Sequence, residues 1–131
     1  MNPSTPPEAL SPKALADIAE FNRRQYFQSH ETLEHEWRGE EGQTRALLHG
    51  IIQLAVGLLH VERANFKGAT GLLNKAVHKF QGLPSKYQGI DVAALLASAE
   101  RTYLTVVTLG PVGIAKFPWD EAPQVRFVTS E

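Results

Sequence analysis

The chain has 131 residues, 43% of them apolar and 21% charged, with a formal net charge of -1 and no cysteine. That length suits one domain with a sizeable core, and the near-zero charge supplies no basic field to draw nucleic acid or an anionic membrane. The absence of cysteine excludes disulfides, thiolate metal sites and a cysteine nucleophile, and accords with a reducing cytosol.

Residues 1–10 are proline-rich, with Pro3, Pro6 and Pro7, and are expected to be a disordered N-terminal segment. Residues 1–7 have neither the basic region nor the apolar run of a signal peptide, so a cytoplasmic location is expected. Ser11-Pro12 starts a helix, an N-cap followed by proline in the first turn, which runs to Phe21 or Asn22. Continued unbroken, that helix would put Phe21 on the opposite face from Tyr26, Phe27 and Leu33. The phase clash predicts a turn at Asn22-Arg23-Arg24 and a second helix over residues 25–38.

Gly39-Glu40-Glu41-Gly42 is a loop on glycine grounds, and a third helix spans residues 43–64. Its most apolar part, residues 46–61, is interrupted by His49, Gln53 and His60 and flanked by charges, which marks a buried core helix and not a membrane span. Asn65-Phe66 turns tightly into a fourth helix over residues 67–81, with Ala69, Leu72, Leu73, Ala76 and Phe80 at helical spacing. Residues 83–90, with Pro84 and Gly89, form a loop, and Asp91 caps a fifth helix that ends near Leu109, before Gly110-Pro111. Residues 110–131 carry Phe117, Trp119 and Phe127 among prolines and are expected to lie as an extended arm over the helices. No segment reads as a sheet. The expected fold is all-α, a single-domain antiparallel array of about five helices over residues 11–109, with an extended C-terminal arm.

The chemistry concentrates between Tyr26 and Trp37. On the second helix Phe27, His30, Glu34 and Trp37 share a stripe, with Tyr26 and Leu33 beside it, Glu31 at the rim, and His35 and Glu36 further round. The third helix has a seam at Ala46, Gly50, Gln53, Gly57, His60 and Ala64. Gly50 and Gly57 in mid-helix each forgo about 1 kcal/mol relative to alanine, which a close helix neighbour would justify. The expected arrangement sets His30 and Glu34 opposite Gln53 and His60, and several interpretations of that set stand open. It can be a satisfied buried network that fixes helix register, in which case the protein is a structural or interaction module. It can be a metal or acid–base site, two histidines with one or two carboxylates suiting zinc, iron or manganese. Alternatively His60, His49, Arg45 and Arg63 form a narrow solvent face. His30-Glu31-Thr32-Leu33-Glu34 is not the zincin signature, because Glu34 stands where its second histidine belongs.

Phe21-Asn22 before Tyr26-Phe27, then His30-Glu31, Glu34 and Trp37, then Gln53 with Ala55, then His60 and Asn65 with Gly68-Ala69, resembles the small helical family catalogued as domain of unknown function 309, over residues 18–105. The resemblance implies an all-helical prokaryotic cytosolic domain, and the family is sometimes described as a predicted metal-dependent hydrolase. Its polar residues fall here on His30, Glu31, Glu34, Gln53, His60 and Asn65, while the glycine usual before the tyrosine is replaced by the Arg23-Arg24 region. As a hydrolase the chain would use His30, Glu34 and His60 as metal ligands, with Glu31 as a further ligand or as the base on bound water, and with Gln53, Asn65 and Trp37 completing the polar centre. A second resemblance, to one tetratricopeptide helix pair through Gly57, Ala69, Leu73 and Ala76, supports a helical hairpin; no second copy of the repeat is present. No exposed pattern in the sequence points to a protein partner or a homo-oligomer, and no residue names a substrate.

Overall fold

The computed structural model describes residues 10–128. Five helices follow in order: α1 (Pro12–Asn22), α2 (Tyr26–Arg38), α3 (Gly42–Glu62), α4 (Phe66–Gln81) and α5 (Val92–Gly113). Each helix packs against the next along the chain. The short connections leave room only for reversal, so the array is antiparallel with α3 at its centre. The disorder expected of residues 1–10 falls, apart from Leu10, outside the described residues, and Leu10 itself is buried in the core.

Local chemistry sets the helix ends. Ser11 Oγ accepts from the Ala14 N–H at 3.0 Å, ahead of Pro12 in the first turn, and Asp91 Oδ1 does the same for Ala94 at 2.9 Å. The break predicted after Phe21 is a tight turn in which Arg24 takes a φ of 64°. The α3–α4 turn repeats that geometry, with Ala64 at φ 57° ahead of the capping residue Asn65. Both turns thus hold an L-residue in the left-handed region that glycine occupies without strain. Across the first turn Phe21 and Tyr26 meet edge to face, ring centroids 5.3 Å apart, among the most buried side chains of the core.

Two parts of the chain depart from expectation. Residues 86–91 are not a plain loop but a small antiparallel hairpin, β1 (Lys86–Tyr87) on β2 (Ile90–Asp91). Its two-residue turn has positive φ at both Gln88 (51°) and Gly89 (82°), the turn that matches strand twist. The C-terminal segment is not extended throughout. Gly110 (φ 73°, ψ 176°) breaks α5 where Gly110-Pro111 predicts it, but one more helical turn and two 3-10 turns, Ile114–Lys116 and Trp119–Glu121, follow. The chain then extends and returns: Asp91 donates to Arg126 O and Val128 to Gly89 O, each at 2.9 Å. Asn22 at the end of α1 ties down the same stretch, accepting from the Val125 N–H at 2.8 Å and donating to Val125 O at 3.0 Å. Phe117 and Val125 are buried by this return, so the segment closes the core between α1 and the hairpin.

Candidate functional site

Because α3 is central, α2 flanks it on one side and α4 on the other, and the stripe of α3 between them stays partly open. Ala46, His49, Gln53, Val56 and His60, at alternating three- and four-residue steps, are the half-buried residues of that stripe. Of these, Ala46, His49 and Gln53 floor a shallow groove. One depression of about 400 Å³ is lined by Gln53, Lys75, His78 and Lys79, and a smaller one of about 210 Å³ by Trp37, Arg45, Ala46, His49 and Lys79 among others.

The small-residue seam meets α4, not α2. A Cβ on Gly50 would lie 2.5 Å from the Phe80 ring, and one on Gly57 would lie 2.9 Å from the Leu73 side chain and 3.3 Å from its backbone nitrogen. Gln53 and His60 therefore sit at the edge of the α3–α4 contact, where the groove opens, and not between the glycines and α2. On α2 the buried face is Tyr26, Ser29 and Leu33. It is turned toward α1, because Ser29 is small and its hydroxyl donates to Asp17 O at 2.8 Å. That rotation leaves Phe27 53% exposed instead of inward and brings His30, Glu34 and Trp37 to the groove edge, half-buried.

Each residue of the expected polar centre can be placed. Trp37 stacks on His49, ring centroids 5.0 Å apart at 28°, and carries the Arg45 guanidinium 4.1 Å from its own centroid. Counting antiparallel from that anchor, Glu34 comes level with Gln53 and His30 with Val56, while His60 lies a turn beyond. Glu34 is 3.7 Å from Arg38 in a half-exposed pair. His30 lies beside Phe27, ring centroids 6.0 Å apart, and its Nδ1 is buried without a hydrogen bond, as is Gln53 Oε1. His60 Nδ1 is 3.1 Å from Asn65 Nδ2, and Asn65 Oδ1 accepts from the Gly68 N–H at 3.0 Å. A Cβ at Gly68 would stand 2.9 Å from the His60 ring, so His60, Asn65 and Gly68 lock the α3–α4 turn. Glu31 is exposed, on the outer side of α2.

The set is thus strung along the groove. Among the described residues no three of His, Asp or Glu gather as a metal-ligand group. His60 and Glu34 are separated by about eight residues of rise, roughly 12 Å, whereas ligands of one zinc ion all lie about 2 Å from it. The His30–Glu34–His60 donor set does not fit a single metal in this arrangement, and no reaction step is derived through one.

Three contributors were not legible as site residues. Taken alone, His49 reads as a surface histidine; its stacking on Trp37 depends on how α2 and α3 meet. Lys75 and Lys79 lie on α4, and only the fold brings them to the groove. Their effect is electrostatic: the His49 pKa is held below its ordinary value, first by burial, then by the charges of Lys79 and Arg45, with Lys75 adding and Glu34 opposing. Among the described residues Lys75 and Lys79 have no carboxylate partner.

Residues 15–72 match the family model described as Domain of unknown function (DUF309). The chain is also 34% identical over 105 residues to the uncharacterized protein YpuF of Bacillus subtilis (strain 168), a match that covers 76% of this chain and 60% of that protein. The chain therefore spans less than two thirds of the relative's length. The DUF309 segment holds the whole groove floor and its α2 edge, from His30 to Asn65, while Lys75 and Lys79 lie beyond its end in α4.

Proposed function

We propose that this DUF309 protein is a non-catalytic binding module whose α3 groove receives the carboxylate or phosphate of an anionic ligand. One observation carries this: an open groove with three cations around it, Arg45, Lys75 and Lys79, and with buried polar atoms of Gln53 on its floor and of His30 at its α2 edge that have no hydrogen-bond partner. Buried polar groups are normally paired, and a bound acceptor would pair these two. A Gln53 amide can present its NH2 by rotation, and His30 donates from Nδ1 in one tautomer or when charged. The Trp37–His49 stack gives the groove a rigid wall.

Thermal denaturation with succinate, inorganic phosphate, zinc or manganese tests the proposal. Ligand at about ten times its Kd adds roughly 1.4 kcal/mol, which moves the midpoint of a chain this long by about 5 °C. Succinate or phosphate is expected to raise the midpoint of the wild type and not of Lys75→Glu/Lys79→Glu, and the metals are expected to do nothing. Equal responses in both proteins would overturn the proposal. So would a stoichiometric metal that copurifies with wild type and is lost in His30→Ala, which would favour the hydrolase.

A further inference from the structure

The outer helix α5 leaves one face uncovered. Leu104 is 61% exposed, Val107 42% and Val112 97%, and Ala93 and Ala97 on the same side are exposed too. Only 33% of the apolar stretch of α5 is buried, against 67% for the equally apolar α3. A shallow depression of about 510 Å³ runs along Ala97, Glu100, Arg101, Leu104 and Thr108.

We propose that a second copy of this chain covers the face, with α5 packed parallel and in register on α5 of the other copy about a twofold axis along the helices. The charges decide the occupant and its direction. At about 100° per residue, Ala93, Ala97 and Leu104 share one line, with Glu100 about 40° to one side and Arg101 about 60° to the other. A parallel twofold brings the left edge of one helix to the right edge of the other at equal height. Glu100 of each copy then meets Arg101 of the other, on both edges. An antiparallel pair centred at residues 100–101 would instead set Glu100 against Glu100 and Arg101 against Arg101. Ala93 and Ala97 let the two backbones approach, and Leu104 packs on its own copy. A lipid surface suits the face poorly, because Arg101 and Arg126 along it are offset by Glu100, Asp120 and Glu121, which leaves no cationic flank. A single pair of helices lies at the low end of stable interface sizes, so the dimer is weak and reversible.

Sedimentation equilibrium at rising protein concentration is expected to show monomer and dimer in exchange, and Leu104→Glu to give monomer with its melting curve unchanged. Glu100→Arg or Arg101→Glu alone is expected to weaken the dimer about tenfold or more by facing like charges, and the double exchange to restore it. Because the chain has no cysteine, Ala97→Cys reports orientation directly. Oxidation is expected to link Ala97→Cys copies, and likewise Ala93→Cys copies, which only a parallel in-register pair allows. A wild type that stays monomeric at about 1 mM, where a weak interface of this size should be populated, would overturn the proposal. So would a double exchange no tighter than the single ones, absence of the cross-links, or a face that binds neutral lipid vesicles instead of itself.

Discussion

Gly57→Ala tests whether α3 and α4 pack as closely as the groove requires. Alanine in mid-helix gains about 1 kcal/mol over glycine, so on propensity alone the variant should be more stable. The added Cβ, however, would lie 2.9 Å from Leu73 Cδ2, 3.0 Å from its Cγ and 3.3 Å from its backbone nitrogen. Leu73 is fully buried, so relief needs a shift of α4 itself. Overpacking of this kind costs about 1–3 kcal/mol. The expected net loss is about 1 kcal/mol, a fall in melting midpoint of roughly 3–4 °C. Gly71→Ala is the control, on the same helix pair but with nothing within 4 Å of the new Cβ; it is expected to raise the midpoint by about the same amount. Calorimetry or circular dichroism of the two variants beside wild type decides. A Gly57→Ala protein as stable as Gly71→Ala would refute the close contact and the groove geometry built on it.

Ala64→Gly should relieve the left-handed residue in the α3–α4 turn and raise stability by about 0.5–1 kcal/mol, the strain lost less the extra freedom of the unfolded chain; urea titration reads the change. Asn65→Ala should lower it by about 1–2 kcal/mol, because the cap on Gly68 and the contact with His60 go together. Protonation of His49 is disfavoured in the folded state, so the unfolded chain takes up its proton first. Stability from this group is therefore complete above its ordinary pKa of 6.5 and falls as pH drops through and below that value. Denaturant midpoints at pH 7.5 and pH 5.5 should differ more for wild type than for His49→Gln.

The helices were legible because their punctuation is local: Ser11-Pro12, the phase break after Phe21, Asn65, Asp91 and Gly110 each act within one turn of chain. What was not legible depends on neighbours. The hairpin at residues 86–91 is only two residue pairs long, and its Gln88-Gly89 turn lacks the Asn-Gly or Asp-Gly signal that marks such turns. The return of the C-terminal segment hangs on Asn22, a residue about a hundred positions away. Periodicity showed that Gly50, Gln53, Gly57 and His60 share a face, but not which neighbour takes it. The glycines went to α4 and the polar residues to the open edge, so a compact polar centre became a groove. The same limit applies to α5, whose exposed row of Leu104 and Val107 has ordinary helical periodicity and stands out only once α4 is seen to cover the other side.

Mapping anion binding onto the α3 groove is the most direct measurement. With succinate or phosphate titrated into isotopically labelled protein, the Gln53 side-chain amide and the backbone amides of His49 and Lys79 are expected to shift first and saturate together, with His30 among them. Shifts centred elsewhere, or none at concentrations that raise the melting midpoint, would contradict a binding site in the groove.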